Sequence, residues 1–282
     1  MKLKSYCKIN LFLEIVNRRE DGYHNIRTLF QTVNLYDTLI IEDLKDNNKI
    51  IIESNIDELN NKNNLLWKVI EILTPHIPLD RKGIKIFLKK RIPIGAGLGG
   101  GSSNAATLLK GLNEYYQLNI DNHQLMEWGS KIGADVPFFI KGGIAKGEGI
   151  GSQVTYYDNL FCPMNLVIIY PNIFASTKEA YNGVSLKKIN KPLLEDMLAG
   201  FKDNNLKKIC DNLYNDFEKT QFIKYPLIKD IKEKLLQNGA VGALMSGSGS
   251  AVFGIFESEG MAKKAILRLK DNHIKVFYAK NI

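Results

Sequence analysis

The sequence predicts a protein of mixed α and β structure that folds as two domains. Its 282 residues, 45% of them hydrophobic, are enough to build two cores of modest size. Segments with strand periodicity alternate with segments of helical periodicity along the chain. This pattern starts anew after an interruption at residues 152–162. We therefore predict an N-terminal domain at residues 1–155 and a C-terminal domain at residues 156–282.

The first predicted strand covers residues 5–16, where polar and apolar side chains alternate with a period of two. This period places Lys8 and Asn10 on one face. Asp21-Gly22 predicts a turn, after which the chain returns as a strand. Similar patterns predict the remaining elements of this domain, which are a strand at 32–43, a helix at 63–73, a strand at 83–93, a helix at 102–118 and a helix near 125–132 that stops at Gly133.

The second domain opens with a predicted strand at residues 164–171 and then crosses a polar region rich in Asn and Lys. No tandem repeat or low-complexity tract interrupts it. The later patterns predict a helix at 226–239, a strand at 251–256, a helix from 261 to 269 and a last strand at 273–279.

Composition excludes several classes of protein. The net charge of +8 comes from scattered lysines, which predicts a solvated basic surface or small anionic substrates and no nucleic-acid partner. Cys7, Cys162 and Cys210 lie far apart and form no CxxC pair, so we expect buried thiols. The apolar runs are too short for a membrane span and no signal peptide is apparent, so we expect a cytoplasmic location.

The segment PIGAGLGGGSSNAA, residues 93–106, joins a predicted strand to a predicted helix. Glycine lets a ligand approach the main chain closely, and a helix N-terminus offers N–H groups and a positive dipole end. This arrangement predicts an anion site. The hydroxyls of Ser102 and Ser103 could cap the helix, bind a phosphate oxygen or help to hold a metal ion. The GxxxxGK[ST] order is absent and GxGxxG matches only generically, so a flexible turn is the alternative.

Read as a whole, this string resembles the phosphate-binding motif of the GHMP kinases. Residues 8–39 and 244–256 are similar to the N-terminal and C-terminal motifs of that family, and GADVPFF at 133–139 agrees with them. The resemblance implies an α+β, two-domain GHMP kinase fold. Its N-terminal domain would resemble the second domain of ribosomal protein S5, its C-terminal domain would be ferredoxin-like, and the active site would lie in the cleft between them.

The resemblance also implies an ATP-dependent kinase for a small-molecule substrate, with ATP and Mg²⁺ as cofactors. ATP would contact the glycine loop, which consists of Pro93, Ile94, Gly95, Ala96, Gly97, Leu98, Gly99, Gly100, Gly101, Ser102 and Ser103. Three further residues match positions on the adenosine side of the family's site, namely Asn64, Leu65 and Lys90. Their structural alternatives are a helix cap for Asn64, a core residue for Leu65 and a surface charge for Lys90. A second glycine-rich segment, the hairpin loop of Ser246, Gly247, Ser248 and Gly249, would close over the site or serve only as a turn.

Two residues match the catalytic positions of the family. Asp135 corresponds to the aspartate proposed as general base, although capping the following segment is its structural alternative. Lys8 corresponds to the lysine beside that aspartate, where its charge would keep the carboxylate ionised and polarise the substrate hydroxyl. Asn10 could bind the same hydroxyl or a phosphate oxygen. Of the metal ligands, only Ser102 or Ser103 can be suggested.

The run RREDGYH, residues 18–24, narrows the resemblance to kinases whose substrate is an alcohol linked to cytidine diphosphate. A cytosine ring calls for aromatic faces and a hydrogen-bonding group at its edge. The resemblance implies Tyr23 as one face, His24 at the edge, Tyr181 as the opposite face and Thr177 as a polar contact. The alternatives are another small alcohol, such as homoserine or mevalonate, and a nucleotide-binding sensor without catalysis. The chain could act as a monomer or a homodimer.

Overall fold

In the computed structural model, residues 1–46, 48–77, 83–183 and 192–282 are described. Contacts divide the chain into a first unit of Met1–Cys7, Tyr36–Ile92 and Gly99–Gly142, and a second unit of Lys8–Leu35, Pro93–Leu98 and Gly143–Ile282. Neither unit is continuous, because the long strands β1 (Lys2–Arg18) and β2 (His24–Leu44) contribute to both. The predicted domain boundary after residue 155 stays a prediction.

The first unit contains a mixed sheet and four α-helices among its described residues. The C-terminal half of β2 pairs antiparallel with β4 (Gly83–Lys89), which pairs parallel with β3 (Ile50–Ser54). The helices are α1 (Leu65–Leu73), α2 (Gly100–Tyr115), α3 (Asn122–Ile132) and α4 (Val136–Lys141), and single 3₁₀ turns lie at Asp57–Leu59 and Thr74–His76.

The helical spacing predicts an apolar stripe of Ala105, Leu108, Leu109, Leu112 and Tyr116. The first four are buried in α2, whereas Tyr116 lies beyond the end of the helix and is only half-buried. The helix begins two residues earlier than predicted, at Gly100, after Gly99 adopts a left-handed conformation with φ of 67° as its N-cap. It also ends at Tyr115, earlier than expected. The chain turns out of the helix there because two residues beyond it adopt left-handed conformations, namely Gln117 (φ 52°) and Asn119 (φ 55°).

The second unit contains a separate sheet of four antiparallel strands, in the order β11 (Lys275–Lys280), β7 (Asn165–Tyr170), β10 (Val252–Phe256) and β9 (Gly242–Met245). Helix α9 (Pro226–Gln237) precedes β9, and helix α10 (Glu259–Leu269) precedes β11. Leaving inserted elements aside, the chain order is βαββαβ, the ferredoxin-like arrangement. The expected C-terminal fold is therefore confirmed.

The hydrophobic core beside this sheet contains the apolar residues that recur at strand and helix spacing in the sequence. Buried Val167 and Ile169 of β7 lie on the same strand face, and buried Ile228, Ile231 and Leu235 of α9 recur at helical spacing. Both sets belong to one hydrophobic cluster, so α9 covers one face of the sheet with its apolar stripe.

The remaining elements of the second unit were missed by the sequence patterns. The polar region rich in Asn and Lys contains α6 (Leu194–Lys202) and α7 (Leu206–Asp211). Helix α6 is short, but it buries Met197 and Phe201 on one face. The others are β5 (Ile144–Glu148), β6 (Gln153–Tyr156), α5 (Thr177–Asn182), β8 (Tyr214–Asn215) and α8 (Glu218–Lys224). Across the described ranges, none of the helices combines the length and apolar content that crossing a bilayer requires.

Candidate active site

The second unit holds a buried cluster around Lys8, which is only 3% exposed. Its Nζ donates to Asn10 Oδ1 at 2.5 Å and to the Gly97 carbonyl oxygen at 2.8 Å. The predicted common face of Lys8 and Asn10 is therefore confirmed, and the ammonium contacts the glycine loop directly. The main chain adds a further link, because the Lys8 N–H donates to the Leu98 carbonyl at 3.1 Å.

Asn10 is 1% exposed, and its side-chain amide is engaged by protein groups on both sides. Its Oδ1 accepts from Lys8, and its Nδ2 donates to Thr28 Oγ1 at 2.8 Å. Thr28 in turn donates its hydroxyl proton to the Phe12 carbonyl at 2.6 Å. These bonds support a role for Asn10 in orienting Lys8, beside the predicted contact with substrate, which stays a prediction.

The hairpin loop lies against the glycine loop. Ser246 Oγ donates to the Gly97 carbonyl at 2.9 Å, and the Ala251 N–H donates to the Ala96 carbonyl at 3.1 Å. A Cβ added to Gly97 would lie 2.0 Å from the Ser246 carbonyl oxygen, so only glycine fits there. The loop also joins β9 to β10 as a hairpin, with Val252 opposite Met245. The hairpin turn is therefore confirmed, whereas closure of this loop over the site stays a prediction.

The residues expected around a cytosine ring are partly assembled in the second unit. The rings of His24 and Tyr181 stack with centroids 4.9 Å apart and an interplanar angle of 15°. Tyr23 is 64% exposed. Thr177 Oγ1 lies 2.8 Å from Ser248 Oγ, which ties the start of α5 to the hairpin loop. The roles of these residues toward substrate stay predictions.

Phe174 is an aromatic residue of this region that the sequence analysis did not single out. Its side chain is 68% exposed, yet a Cβ on Gly95 would lie 2.5 Å from its ring. The ring thus covers the first glycine of the glycine loop. Phe174 lies in a loop, four residues after the end of β7. A loop residue follows neither the helix nor the strand period, so the hydrophobic pattern of the sequence could not identify it.

In the first unit, the helical end of the glycine loop packs against α1. A Cβ on Gly101 would lie 3.6 Å from Leu65 Cδ1, so Leu65 lies beside the first turn of α2. Asn64 is the N-cap of α1, and its Oδ1 accepts from the Leu66 N–H at 3.1 Å. The structural alternative for Asn64, a helix cap, is thus confirmed, whereas its contact with adenosine stays a prediction.

Ser102 and Ser103 differ in their surroundings. Ser103 is 1% exposed, and its Oγ donates to the Tyr6 carbonyl at 2.5 Å and pairs with Ser5 Oγ at 2.7 Å. Neither serine caps α2, because Gly99 holds the N-cap position without a side-chain bond. Ser102 is half-buried, and a Cβ on Gly133 would lie 3.8 Å from its Oγ. Ser102 is therefore the better placed of the two for a phosphate oxygen or a metal ion.

Lys90 is not the surface charge that the sequence left open as an alternative. Its side chain is 5% exposed, and its ammonium forms an ion pair with the fully buried Asp37, at 2.5 Å between Nζ and Oδ2. Burial lowers the pKa of Lys90, while the charge of Asp37 opposes this shift. Removing one partner of such a buried pair costs about 3–5 kcal/mol, because it leaves a charge uncompensated.

Asp135 occupies the N-cap position of α4, yet its carboxylate makes no capping hydrogen bond. The capping alternative raised by the sequence is therefore wrong. The half-buried carboxylate follows Gly133, which lies beside Ser102. Within the first unit, the structure thus places the candidate base two residues from a glycine that faces the first turn of α2.

The described residues include no group of three or more His, Cys, Asp or Glu side chains that could hold a metal ion. Mg²⁺ bound with a nucleotide does not need such a group, because it keeps several waters and takes one or two protein ligands plus phosphate oxygens. Ser102 and Asp135, both in the first unit, are oxygen donors of the type that Mg²⁺ prefers.

Family comparison agrees with the fold and the motifs. The family model for the N-terminal domain of GHMP kinases matches residues 64–143, and the model for the C-terminal part matches residues 197–275. The chain therefore belongs to the GHMP kinase family, whose members are ATP-dependent small-molecule kinases, and the fold and enzyme class predicted from the sequence are confirmed.

The individual relatives that are most similar in sequence share one enzyme name. The chain is 43% identical, over 96% of its length and 94% of the relative's, to the 4-diphosphocytidyl-2-C-methyl-D-erythritol kinase of Caldicellulosiruptor bescii. It is 38% identical to the enzyme of that name from Clostridium tetani, with 100% of both chains covered. A crystal structure of 4-(cytidine 5'-diphospho)-2C-methyl-D-erythritol kinase matches with a TM-score of 0.85 at 30% identity, covering 100% of this chain and 99% of the other.

Proposed function

We propose that the protein transfers the terminal phosphoryl group of ATP to the 2-hydroxyl of 4-diphosphocytidyl-2-C-methyl-D-erythritol, and so acts in the non-mevalonate route to isoprenoid precursors. The observation that carries this proposal is similarity at 37–43% identity, over nearly the whole chain, to kinases named for that substrate. The presence of both Lys8 and Asp135 supports catalysis over a silent nucleotide sensor. We place the reaction in the cytoplasm, because ATP is its phosphoryl donor.

In the proposed reaction, the substrate hydroxyl oxygen forms a bond to the γ-phosphorus while the bond from that phosphorus to the β,γ-bridging oxygen breaks. ADP leaves, and the hydroxyl proton moves to the carboxylate of Asp135. The half-buried setting of Asp135 supports this role.

Lys8 and the glycine loop would supply electrostatic stabilisation. The ammonium of Lys8 is held at the Gly97 carbonyl, so its positive charge lies at the loop proposed to bind phosphates. The first N–H groups of α2 begin at Gly100 and carry the positive end of the helix dipole. Both groups are in place before ATP arrives, so little reorganisation is needed when charge builds up on the transferred group.

Mg²⁺ would enter with ATP, with Ser102 as the proposed protein ligand. The ion would neutralise phosphate charge and help to orient the γ-phosphoryl group when bound. Chelation of Mg²⁺ should abolish turnover, and restoring the ion should recover it.

Recognition of the cytidine group is proposed for Tyr23, His24, Tyr181 and Thr177. Since the stacked rings of His24 and Tyr181 lie 4.9 Å apart, a third ring cannot enter between them. The base would therefore stack on the outer side of this pair or displace one ring. The exposed side chain of Tyr23 is available as a second face.

A coupled assay for ADP release tests the proposal. The purified protein, Mg-ATP and a panel of the cytidylyl substrate, homoserine and mevalonate should show turnover on the cytidylyl substrate alone. Turnover on homoserine or mevalonate instead would support the alternative of a kinase for another small alcohol. Tight ATP binding without turnover on any alcohol would support the nucleotide sensor.

A further inference from the structure

Asp37 lies at the centre of a buried polar network in the first unit. The residue is fully buried, and its carboxylate accepts hydrogen bonds from several directions. Its Oδ1 accepts from the main-chain N–H groups of Arg91 at 2.6 Å and Ile92 at 2.8 Å. Its Oδ2 accepts from Lys90 Nζ at 2.5 Å and from Asn104 Nδ2 at 2.9 Å.

These partners come from the two ends of the glycine loop. Arg91 and Ile92 are the last residues before the loop, and Asn104 lies in the second turn of α2, just after it. One carboxylate therefore ties the segment that enters the loop to the helix that leaves it. This hydrogen-bonded connection is made by a residue that lies more than fifty positions earlier in the chain.

Close packing accompanies the hydrogen bonds. A Cβ on Gly100 would lie 2.7 Å from Lys90 Nζ and 3.0 Å from Ile92 Cγ2. The first residue of α2 is thus in contact with the end of the preceding strand. Asn104 extends the network to β1, because its Nδ2 also donates to Ser5 Oγ at 2.9 Å, and Ser5 pairs with Ser103.

The chemistry of the site explains why a carboxylate is required at this position. Arg91 and Ile92 present N–H donors, Lys90 presents an ammonium group, and Asn104 presents its amide nitrogen. All four partners donate, and an ionised carboxylate is the side chain that only accepts, with room for about four hydrogen bonds. The negative charge also compensates the buried ammonium of Lys90, which is 5% exposed.

We propose that Asp37 is the positioning residue of the nucleotide site: it holds both ends of the glycine loop so that the main-chain N–H groups at the start of α2 are ordered before ATP binds. This inference rests on the proposed role of the loop in binding ATP. Asp37 does not touch the reacting groups and acts through the loop. Lys90 is part of the same device, as the counter-ion that allows a charged carboxylate to be buried.

The test is a direct measurement of Mg-ATP affinity, which does not depend on the identity of the alcohol. Asp37→Asn keeps the shape of the side chain, but its amide NH₂ group faces two hydrogen-bond donors and cannot accept from them. The ends of the glycine loop are then held less firmly, so ATP binding should weaken by at least about tenfold. Asn104→Ala removes only the tie to α2 and should weaken ATP binding by about fivefold. In turnover assays, the KM for ATP should rise in both variants while the KM for the alcohol stays near its original value.

Asp43→Asn is the matched control, since Asp43 lies on the same strand but is exposed and accepts from Tyr115 Oη at 2.5 Å, away from the loop. It should bind ATP as the unaltered protein does. Folded Asp37→Asn protein with unchanged ATP affinity, whatever its melting temperature, would overturn the proposal. If Asp37→Asn does not fold, unchanged ATP affinity in Asn104→Ala overturns it. Failure to phosphorylate the cytidylyl substrate would contradict the proposed function but leave this binding test intact.

Discussion

At the scale of single residues, the orientation of Lys8 depends on the direction in which the Thr28 hydroxyl donates its hydrogen bond. The hydroxyl of Thr28 has one proton, which it donates to the Phe12 carbonyl. Toward Asn10 it can therefore only accept, so the NH₂ end of the Asn10 amide must face Thr28. The oxygen of that amide then faces Lys8, where it accepts from the ammonium group.

The first prediction follows from this chain of bonds. Thr28→Val should leave the buried Asn10 Nδ2 without an acceptor, at a cost of about 1–3 kcal/mol in the free energy of unfolding. The loss of orientation at Lys8 should also lower kcat by about tenfold, with little change in the KM for ATP. Denaturant unfolding and steady-state kinetics measure both effects. Thr28→Ser keeps the hydroxyl and should behave like the unaltered protein; equal activity of the Val and Ser variants would contradict the argument.

The second prediction concerns Asp135. Asp135→Asn keeps the volume of the side chain but removes the proposed proton acceptor, so kcat should fall by roughly 10²–10⁴-fold while ATP affinity stays within about twofold. Asp121→Asn is the control, because Asp121 caps α3 through the Gln124 N–H at 2.8 Å and asparagine caps equally well. A near-normal kcat in Asp135→Asn would remove the general-base assignment.

The third prediction is a pH dependence. Burial, with a smaller contribution from the Arg18 charge, lowers the pKa of His24 below 6.5, so the imidazole is neutral at pH 7 with one donor and one acceptor nitrogen. As the pH falls below 6.5, the unfolded chain binds this proton first, so folding loses stability, and protonation of folded His24 then removes the acceptor. The KM for the cytidylyl substrate should rise over this range.

Kinetics from pH 8 to pH 5.5 measure this effect, with the KM for ATP as the internal reference. His24→Gln keeps one donor and one acceptor without titrating, so its KM for the cytidylyl substrate should be flat. A rise of the same size in His24→Gln would show that another group is responsible.

At the scale of secondary-structure elements, the second unit brings two glycine-rich turns into direct contact. Residues 93–98 lie before α2, and residues 246–249 join β9 to β10, yet Gly97 and Ser246 touch through both main chain and side chain. Each turn therefore limits the conformations of the other. Glycine at position 97 is required both by its φ of 76° and by the lack of space for a Cβ.

The fourth prediction separates these two reasons. Gly97→Ala should weaken ATP binding strongly and lower the melting temperature, because the new Cβ would lie 2.0 Å from a main-chain oxygen. Gly143→Ala has nearly the same φ, 79°, but nothing within 4 Å of the new Cβ, so it should cost only about 1 kcal/mol of backbone strain. Thermal unfolding and ATP titration compare the two. Equal losses in both variants would mean that backbone conformation alone matters.

At the scale of the whole molecule, all three cysteines are buried. Cys7, Cys162 and Cys210 are buried thiols, as expected from their spacing. Burial raises the pKa of Cys162, and it raises the pKa of Cys210 to about 12. Since the thiolate is the reactive form, burial restricts access to all three residues and also suppresses the ionisation of Cys162 and Cys210.

The fifth prediction is that a small alkylating reagent at pH 8 modifies none of the three cysteines in the folded protein and all three in urea. Mass spectrometry of the intact chain counts the modified sites. The melting temperature should be the same with and without a reducing agent. Rapid modification of any cysteine under native conditions would show that the fold opens locally at that site.

Much of this architecture could be predicted from local pattern. The helices α1, α3, α9 and α10 and the long strands follow from periodicity and end signals, such as Asn64 before α1 and Gly133 after α3. The elements that were missed are mostly short, where a few residues cannot establish a period. The glycine loop was predictable as an anion site because its chemistry is contained in one continuous segment.

The supporting residues could not be predicted in the same way. Asp37 stands out in the sequence only as a charge within an apolar strand, and Thr28 as one of several polar residues near a turn. The role of Asp37 depends on Asn104, more than sixty positions away, and the role of Thr28 depends on Asn10 on the neighbouring strand. Lys90 was open to interpretation as a surface charge for the same reason, since its burial is a property of its surroundings.

By itself, the sequence determined the family, the class of reaction and the segments that carry the chemistry, because short-range physics, namely periodicity, turn preference and glycine flexibility, is encoded in neighbouring residues. The tertiary structure alone decided which polar groups share hydrogen bonds: Asp37 with the ends of the glycine loop, Thr28 with Asn10, and Ser246 with Gly97. Buried donors and acceptors must find partners wherever the folded chain provides them, and that requirement carries no signal in local sequence.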